Sequence, residues 1–188
     1  MPASVINTSP QKFAFGQPVG GIVQFAYTVA DIEQAMKDYG QRLGAGPWFV
    51  LGPFTAPEGR YRGAPSPINV TLAIGYSGHM QIELVQQNND VPSVFREFID
   101  KRGHGFHHWA IGSRSFEADI ARYQAMGYEV AFSDRSPRGV RVVYMDTTAH
   151  LPGMVEIIEL TAGLEARYAQ MQAASVGWDG RDPVRRGL

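Results

Sequence analysis

Apolar residues recur along this chain in two rhythms, one continuous or of period two, the other of period 3.6. Residues 22–29 (Ile-Val-Gln-Phe-Ala-Tyr-Thr-Val) are apolar at nearly every position and predict a strand. Asp31 follows as a helix N-cap, with Gln34 at the third helical position completing a capping box. Ala35, Met36, Tyr39 and Leu43 then fall at helical spacing, and Gly44 and Gly46 stop the helix. Runs at 48–54, 69–76 and 79–86 predict three strands, the last two joined by the hairpin signal Ser77-Gly78.

That order then repeats. Residues 106–112 predict a strand, and Ser115 caps a helix carrying Phe116, Ile120, Tyr123 and Met126, closed by Gly127. Runs at 128–133, 140–145 and 154–160 predict strands. The first half ends on Ile82-Glu83-Leu84-Val85-Gln86 and the second on Val155-Glu156-Ile157-Ile158-Glu159, two corresponding stretches. A helix at 94–101, capped by Ser93, joins the halves. Residues 59–67, rich in Gly, Pro and Arg, predict a loop able to lie over a site. The reading is therefore an α+β protein with two βαβββ modules, at 21–90 and 105–161. An N-terminal arm at 1–20, a connecting helix and loop at 91–104, and a C-terminal helix and extended tail at 162–188 complete it.

Strand parity selects candidate chemistry, because alternate side chains face opposite sides of a sheet. Phe25, Tyr27 and Val29 share one face of the first strand, suited to a helix, and Gln24, Ala26 and Thr28 share the other. Ile82 and Leu84 oppose Glu83 and Val85, Trp109 and Ile111 oppose His108 and Ala110, and Val155 and Ile157 oppose Glu156 and Ile158. Each of these strands thus turns one ligand-capable residue, Gln24, Glu83, His108 or Glu156, to a face that is otherwise apolar or small. A solvated sheet face would alternate Lys, Thr, Arg and Glu. The competing reading is such a solvated face carrying a structural histidine. Two carboxylates on an apolar face are costly unless neutralised, and a divalent cation neutralises them.

Composition narrows the field. At 188 residues the chain is one domain's worth, or two small modules sharing a core, and can bury about 70% of its unfolded surface. The absence of cysteine excludes disulfides, thiolate-bound zinc, iron–sulfur clusters and thiol nucleophiles. A net charge of −1, from 17 basic and 18 acidic residues, argues against nucleic-acid and membrane-surface partners, which need a basic excess. The first residues lack the basic and apolar regions of a signal peptide, and no apolar run is long enough to span a bilayer, so a cytoplasmic location is expected.

The motifs Gln24-Phe25-Ala26-Tyr27-Thr28-Val29-Ala30-Asp31-Ile32, Leu43-Gly44-Ala45-Gly46-Pro47, Gln81-Ile82-Glu83-Leu84-Val85, Gly105-Phe106-His107-His108-Trp109-Ala110-Ile111 and Gly153-Met154-Val155-Glu156-Ile157-Ile158-Glu159 resemble the vicinal oxygen chelate superfamily. That superfamily includes glyoxalase I, methylmalonyl-CoA epimerase, extradiol dioxygenases and bleomycin resistance proteins. The resemblance, over roughly 21–160, implies two βαβββ modules curving one mixed sheet around a metal site. It implies that Gln24, Glu83, His108 and Glu156 are the metal ligands. Many relatives carry His at the first of these positions; the Gln/Glu/His/Glu set is similar to the eukaryotic type of glyoxalase I and to the epimerase. His107 competes with His108, but its parity points toward the helices. Glu159 competes with Glu156, which aligns better with Glu83.

Three oxygens and one imidazole suit Zn, Co, Mn, Ni or Fe as the divalent metal ion. The resemblance implies proton transfer alpha to a carbonyl, with Glu156 or Glu83 as the catalytic base, in an isomerase, epimerase or glyoxalase-type lyase. The small-molecule substrate would be a ketone, thiol adduct or acyl-CoA. The alternatives are an extradiol-type dioxygenase, a non-catalytic binding or resistance protein of the same fold, and an unrelated α+β domain. Among other residues, His104 and His107 read as loop, core or substrate-contacting groups, His79 as rim or cleft wall, and His150 as surface. Arg60, Arg62 and Arg138 read as solvated charges or anion contacts, and Trp48 and Phe49 as core or cleft wall. Trp178 reads as an anchor on this domain or on a partner subunit, which leaves a homodimer open.

Overall fold

A computed structural model describes residues 11–56, 58–136 and 138–186. The first module contains β1 (Ile22–Thr28), α1 (Ile32–Leu43), β2 (Trp48–Thr55), β5 (Asn69–Ser77) and β6 (Met80–Gln87), interrupted by the two-residue strands β3 (Arg60–Tyr61) and β4 (Ala64–Pro65). After α2 (Val94–Arg102) the second module contains β7 (Gly105–Ser113), α3 (Phe116–Ala125), β8 (Val130–Arg135), β9 (Arg141–Met145) and β10 (Met154–Glu159). α4 (Ala162–Ser175) and β11 (Val184–Arg186) follow. Among the described residues eleven strands join one mixed sheet in the order β11-β2-β5-β6-β1-β7-β10-β9-β8-β3-β4. The two modules meet where β1 and β7 pair antiparallel at its centre.

Local chemistry explains the elements. The Asp31 side chain accepts from the Gln34 amide and Gly44 closes α1 with φ +62°. The reciprocal arm of the expected capping box is absent, because the Gln34 amide side chain bonds Asp38 instead. Ser115 occupies the N-cap of α3 without a side-chain cap bond; the Ser115 amide is held by Ser113 Oγ.

The segment at 59–67 is not a loop over the site. β3 and β4 form a small hairpin whose Arg60 and Tyr61 pair with Ser133 and Phe132 of β8, so it extends the far edge of the sheet. Arg62, beside it, bridges Glu97 of α2 and Asp146 at 2.9 and 2.8 Å. The tail also finds a place on its own chain. β11 pairs parallel with β2, and the Trp178 ring lies over Gly46, where a Cβ would come within 2.5 Å of it.

Among the described residues the sheet separates four apolar clusters. Outside, α1 covers Trp48, Ile82 and Leu84, and α3 covers Ile111, Val155 and Ile157. On the concave face, Phe95 and Phe98 of α2 pack on Val85, Phe132 and Met154. Leu164, Tyr168 and Met171 of α4, with Phe13 and Phe15, pack on Ile74, Tyr76 and Ile158. Along β6 the inward residues run Val85, Glu83, Gln81, and along β10 Met154, Glu156, Ile158. Glu83 and Glu156 therefore lie between the apolar layers under α2 and α4.

Gly153 fixes how β10 enters. A Cβ there would come within 2.7 Å of the His107 carbonyl oxygen and 2.6 Å of the Phe106 ring. Gly153→Ala is expected to cost about 1–3 kcal/mol, read from the urea midpoint. An unchanged midpoint would show that β7 yields at this point.

Candidate functional site

Strand register converts parity into proximity. Ala26 of β1 pairs with Glu83 of β6 on one side and His108 of β7 on the other. Ala110 of β7 likewise pairs with Gln24 of β1 and Glu156 of β10. In each row an alanine stands between two polar side chains, and its single methyl leaves the floor of the concave face clear for them to converge. All four polar residues are buried. His108 Nε2 lies 3.2 Å from Glu156 Oε2 and 3.6 Å from Glu83 Oε2. Glu83, His108 and Glu156 offer ligand atoms all within 4.8 Å of one another. Both side-chain polar atoms of Gln24 are buried without a hydrogen bond, as is His108 Nε2.

His107 departs from the parity expectation. The β1–β7 register slips between Ala26–His108 and Tyr27–Phe106, leaving His107 as the extra residue of a β-bulge. Phe106 consequently joins Trp109 and Tyr27 on the outer face, with ring centroids 4.7 and 5.8 Å away. His107 turns inward beside His108 and packs on Phe95 and Phe98 of α2, not on the outer helices.

The two histidines dictate each other's tautomer. His107 Nε2 lies 3.0 Å from the Val94 carbonyl, which only accepts, so this nitrogen carries the proton. Burial, reinforced by the neighbouring His108 ring, holds His107 well below the usual histidine range, so it is neutral and its Nδ1 is a bare acceptor. His108 Nδ1 lies 2.9 Å from that acceptor and must donate. Burial pushes His108 to about 3, so it too is neutral. Its Nε2 then presents a lone pair to Glu83 and Glu156, and the close approaches there are not ion pairs.

Burial, with Glu156 alongside, raises the Glu83 carboxyl well above its ordinary value; the Gln24 amide opposes this from nearby without closing a full hydrogen bond. Burial pushes Glu156 to about 7, opposed by the Tyr144 hydroxyl. Tyr144 itself is held far above the normal phenol range by burial and by both carboxylates. The carboxyl oxygens of Glu83 and Glu156 and the Nε2 lone pair of His108 face one another with the Gln24 carboxamide beside Glu83, and a cation that displaced the carboxyl protons would balance the charge. These residues fit a divalent cation.

A cavity of about 430 Å³ opens onto this cluster and is lined by Glu83, Tyr144, Glu156 and mostly apolar neighbours. Sequence reasoning missed Tyr144 and Tyr168. Tyr144 pairs with Glu156 across β9–β10, so parity with Val142 was its available signal. Tyr168 comes from α4, whose placement no pattern in the chain announces. Of the remaining histidines, His79 and His104 are exposed, and exposed His150 lies 3.3 Å from the Tyr128 hydroxyl. Glu159 is taken up by Arg141 at 2.7 Å. Trp48 and Phe49 are core residues. Arg62 is committed to its ion pairs, Arg60 donates to the Gly63 carbonyl, and Arg138 lines the cavity.

The sequence profile of the Glyoxalase/Bleomycin resistance protein/Dioxygenase superfamily matches residues 23–144. This chain belongs to that superfamily. The superfamily match ends before β10 and α4, so the strand carrying Glu156 and the helix over the cavity lie outside it. Among solved structures this superfamily member is similar to methylmalonyl-CoA epimerase from Mycobacterium tuberculosis, at 21% identity over 79% of this chain and 93% of that one, with a TM-score of 0.57. It is also similar to a hypothetical protein from Bacillus halodurans, at 24% identity over 75% and 94% of the two chains, TM-score 0.57. A third is Streptomyces coelicolor methylmalonyl-CoA epimerase in complex with 2-nitronate-propionyl-CoA, at 18% identity over 75% and 97%, TM-score 0.51. At these identities the likeness shows the shared fold. A comparison with curated proteins finds no match. Among the described residues no helix is long and apolar enough to cross a membrane.

Proposed function

We propose that this protein is a divalent-metal-dependent enzyme that moves a proton on the carbon alpha to a carbonyl, as an isomerase, epimerase or glyoxalase-type lyase. The observation that carries the reading is the bare Nε2 of His108 aimed at two buried carboxylates on the floor of an apolar cavity. Gln24, Glu83, His108 and Glu156 would hold the cation. When bound it supplies Lewis acidity toward a substrate carbonyl, which makes the adjacent C–H more acidic.

The chain's own groups do the rest. Glu156, or Glu83 in its place, takes the proton from carbon: the C–H bond breaks, a carboxyl O–H forms, and the electron pair passes into an enolate. Epimerisation requires a proton delivered to the other face of that carbon by a donor other than the carboxyl that took it, such as the second glutamic acid or a water; return by the same carboxyl to the neighbouring carbon isomerises the substrate. A base near neutrality suits both directions of transfer. The Tyr144 hydroxyl stays protonated and helps to fix the Glu156 carboxylate. The apolar walls exclude water that would quench the enolate. An extradiol centre ordinarily pairs two histidines with one carboxylate, and a Gln/Glu/His/Glu set does not supply them.

Metal content measured by mass spectrometry on untagged protein is expected to approach one equivalent, and to fall in Glu156→Gln. Solvent deuterium is then expected to enter small ketones and acyl thioesters without oxygen uptake. Absence of metal after loading with Co, Mn, Ni and Zn would sink the enzyme reading and leave a binding cleft. Oxygen uptake with a catechol would replace it by the dioxygenase.

A further inference from the structure

The cavity above Glu83 and Glu156 is closed on one side by α4, outside the matched superfamily region. Leu164, Tyr168 and Met171 of this helix are buried and line the cavity opposite the sheet, where Leu51, Leu72 and Ile158 also line it. At about 430 Å³ the enclosed space lies in the lower part of the range of small-molecule sites. Away from Glu83 and Glu156 its wall is mostly apolar, and its charged members are Asp134, Arg138 and Arg167. Arg138, in the turn between β8 and β9, and Arg167, of α4, both line it. Arg138 is exposed and Arg167 half-buried, so both guanidinium groups are reached from solvent.

These two arginines differ from others near the sheet. Arg141 is held by Glu117 and Glu159, Arg62 by Glu97 and Asp146, and Arg114 by Glu165. Among the described residues neither Arg138 nor Arg167 has a hydrogen-bond or ion-pair partner. Asp134, the other charged group of the wall, accepts from the Glu58 amide. A guanidinium presents a planar fork that matches an oxyanion. Two unpartnered forks on the wall of an apolar cavity specify what enters it.

We propose that the cavity takes a compact molecule with an apolar body and one oxyanion, a carboxylate or a phosphonate-like group, held by Arg138 and Arg167 of its wall. The proposal rests on the proton-transfer reading only for which end reacts; the apolar body and the oxyanion rest on the cavity itself.

The test is calorimetric titration of 4-phenylbutanoate, 4-phenylbutanamide, 3-phenylpropylphosphonate and propionyl-CoA into the full chain, once freed of metal and once loaded with zinc. At least one of the two anions is expected to bind about tenfold or more tightly than the amide. Arg138→Gln and Arg167→Gln are each expected to reduce that advantage, the amide serving as the check that the cavity is intact. Met171→Trp is expected to weaken all three phenyl probes by filling the space. Preference for carboxylate or for phosphonate identifies which oxyanion is meant. Equal binding of anions and amide, no binding of the three, or tighter binding of propionyl-CoA would overturn the proposal. Because the anion advantage is also read on metal-free protein, it survives a failure of metal binding, which would sink the proton-transfer reading alone.

Discussion

Metal-free protein is expected to lose stability as the pH rises from about 6.5 toward 8. The sign follows from which state binds more protons. Burial raises Glu83 and Glu156 above their ordinary value of 4.5, Glu156 to about 7, so the folded protein keeps protons there that the unfolded chain releases. Their stabilising contribution is whole below about 4.5 and is lost as the pH climbs through the folded values. His107 and His108 act oppositely. Their folded values lie below 6.5, so the unfolded chain binds the extra protons and acid destabilises. From 4.5 to 6.5 the two effects oppose each other, and above 6.5, the unfolded histidine value, the carboxylates dominate. The loss is on the order of 2 kcal/mol, about 4–8 °C for a chain of this size. Glu156→Gln is expected to reduce the fall above pH 6.5, and a bound divalent cation to abolish it in the parent chain by neutralising both carboxylates. Differential scanning calorimetry after chelation reads all three. A stability that rises from pH 6.5 to 8 in metal-free protein would show that the carboxylates are not buried together unpaired.

Replacing His107 by phenylalanine is expected to weaken metal affinity 10- to 100-fold without touching a proposed ligand. The phenyl ring can pack between Phe95 and Phe98, where the imidazole lies with ring centroids 4.9 and 4.4 Å away. It cannot accept the proton on His108 Nδ1. His108 is then free to protonate at Nε2 instead, which removes the lone pair from the site. His107→Gln keeps an acceptor oxygen and is expected to restore part of the affinity. The readouts are competition with a chelator of known strength and the nitrogen chemical shifts of the His108 ring. The parent metal-free protein is expected to show the Nδ1–H form and His107→Phe a shift toward Nε2–H. A parent protein already in the Nε2–H form would refute the role assigned to His107.

Much of this architecture was legible in the chain because period and punctuation are local properties. The strand at 22–29, its cap at Asp31 and the stop at Gly44 are set by residues within a few positions of one another. The duplicated Glu83 and Glu156 stretches marked matching strands, since a strand buried on both faces tolerates few polar residues. Strand alternation alone brought Gln24, Glu83, His108 and Glu156 to one face. It failed at His107, where a bulge in the β1–β7 pairing breaks alternation. Bulges depend on the partner strand, and β1 lies some 80 residues away in sequence. The 59–67 segment has the sequence of a loop for a similar reason: its Gly and Pro residues suppress local strand character, and the ladder that orders it belongs to β8 of the other module.

By itself, then, the sequence determined two βαβββ modules, the absence of thiol chemistry and a buried carboxylate–imidazole face, because these follow from residue type and spacing. Tertiary structure alone decided the rest. It placed Ala26 and Ala110 between the converging side chains and turned His107 inward to settle the His108 tautomer. It also laid α4 across the concave face, bringing Tyr168 and Arg167 to the cavity. Each of these depends on which strands pair and on what packs across the sheet, and a linear pattern does not encode distances between segments that meet only when the chain folds.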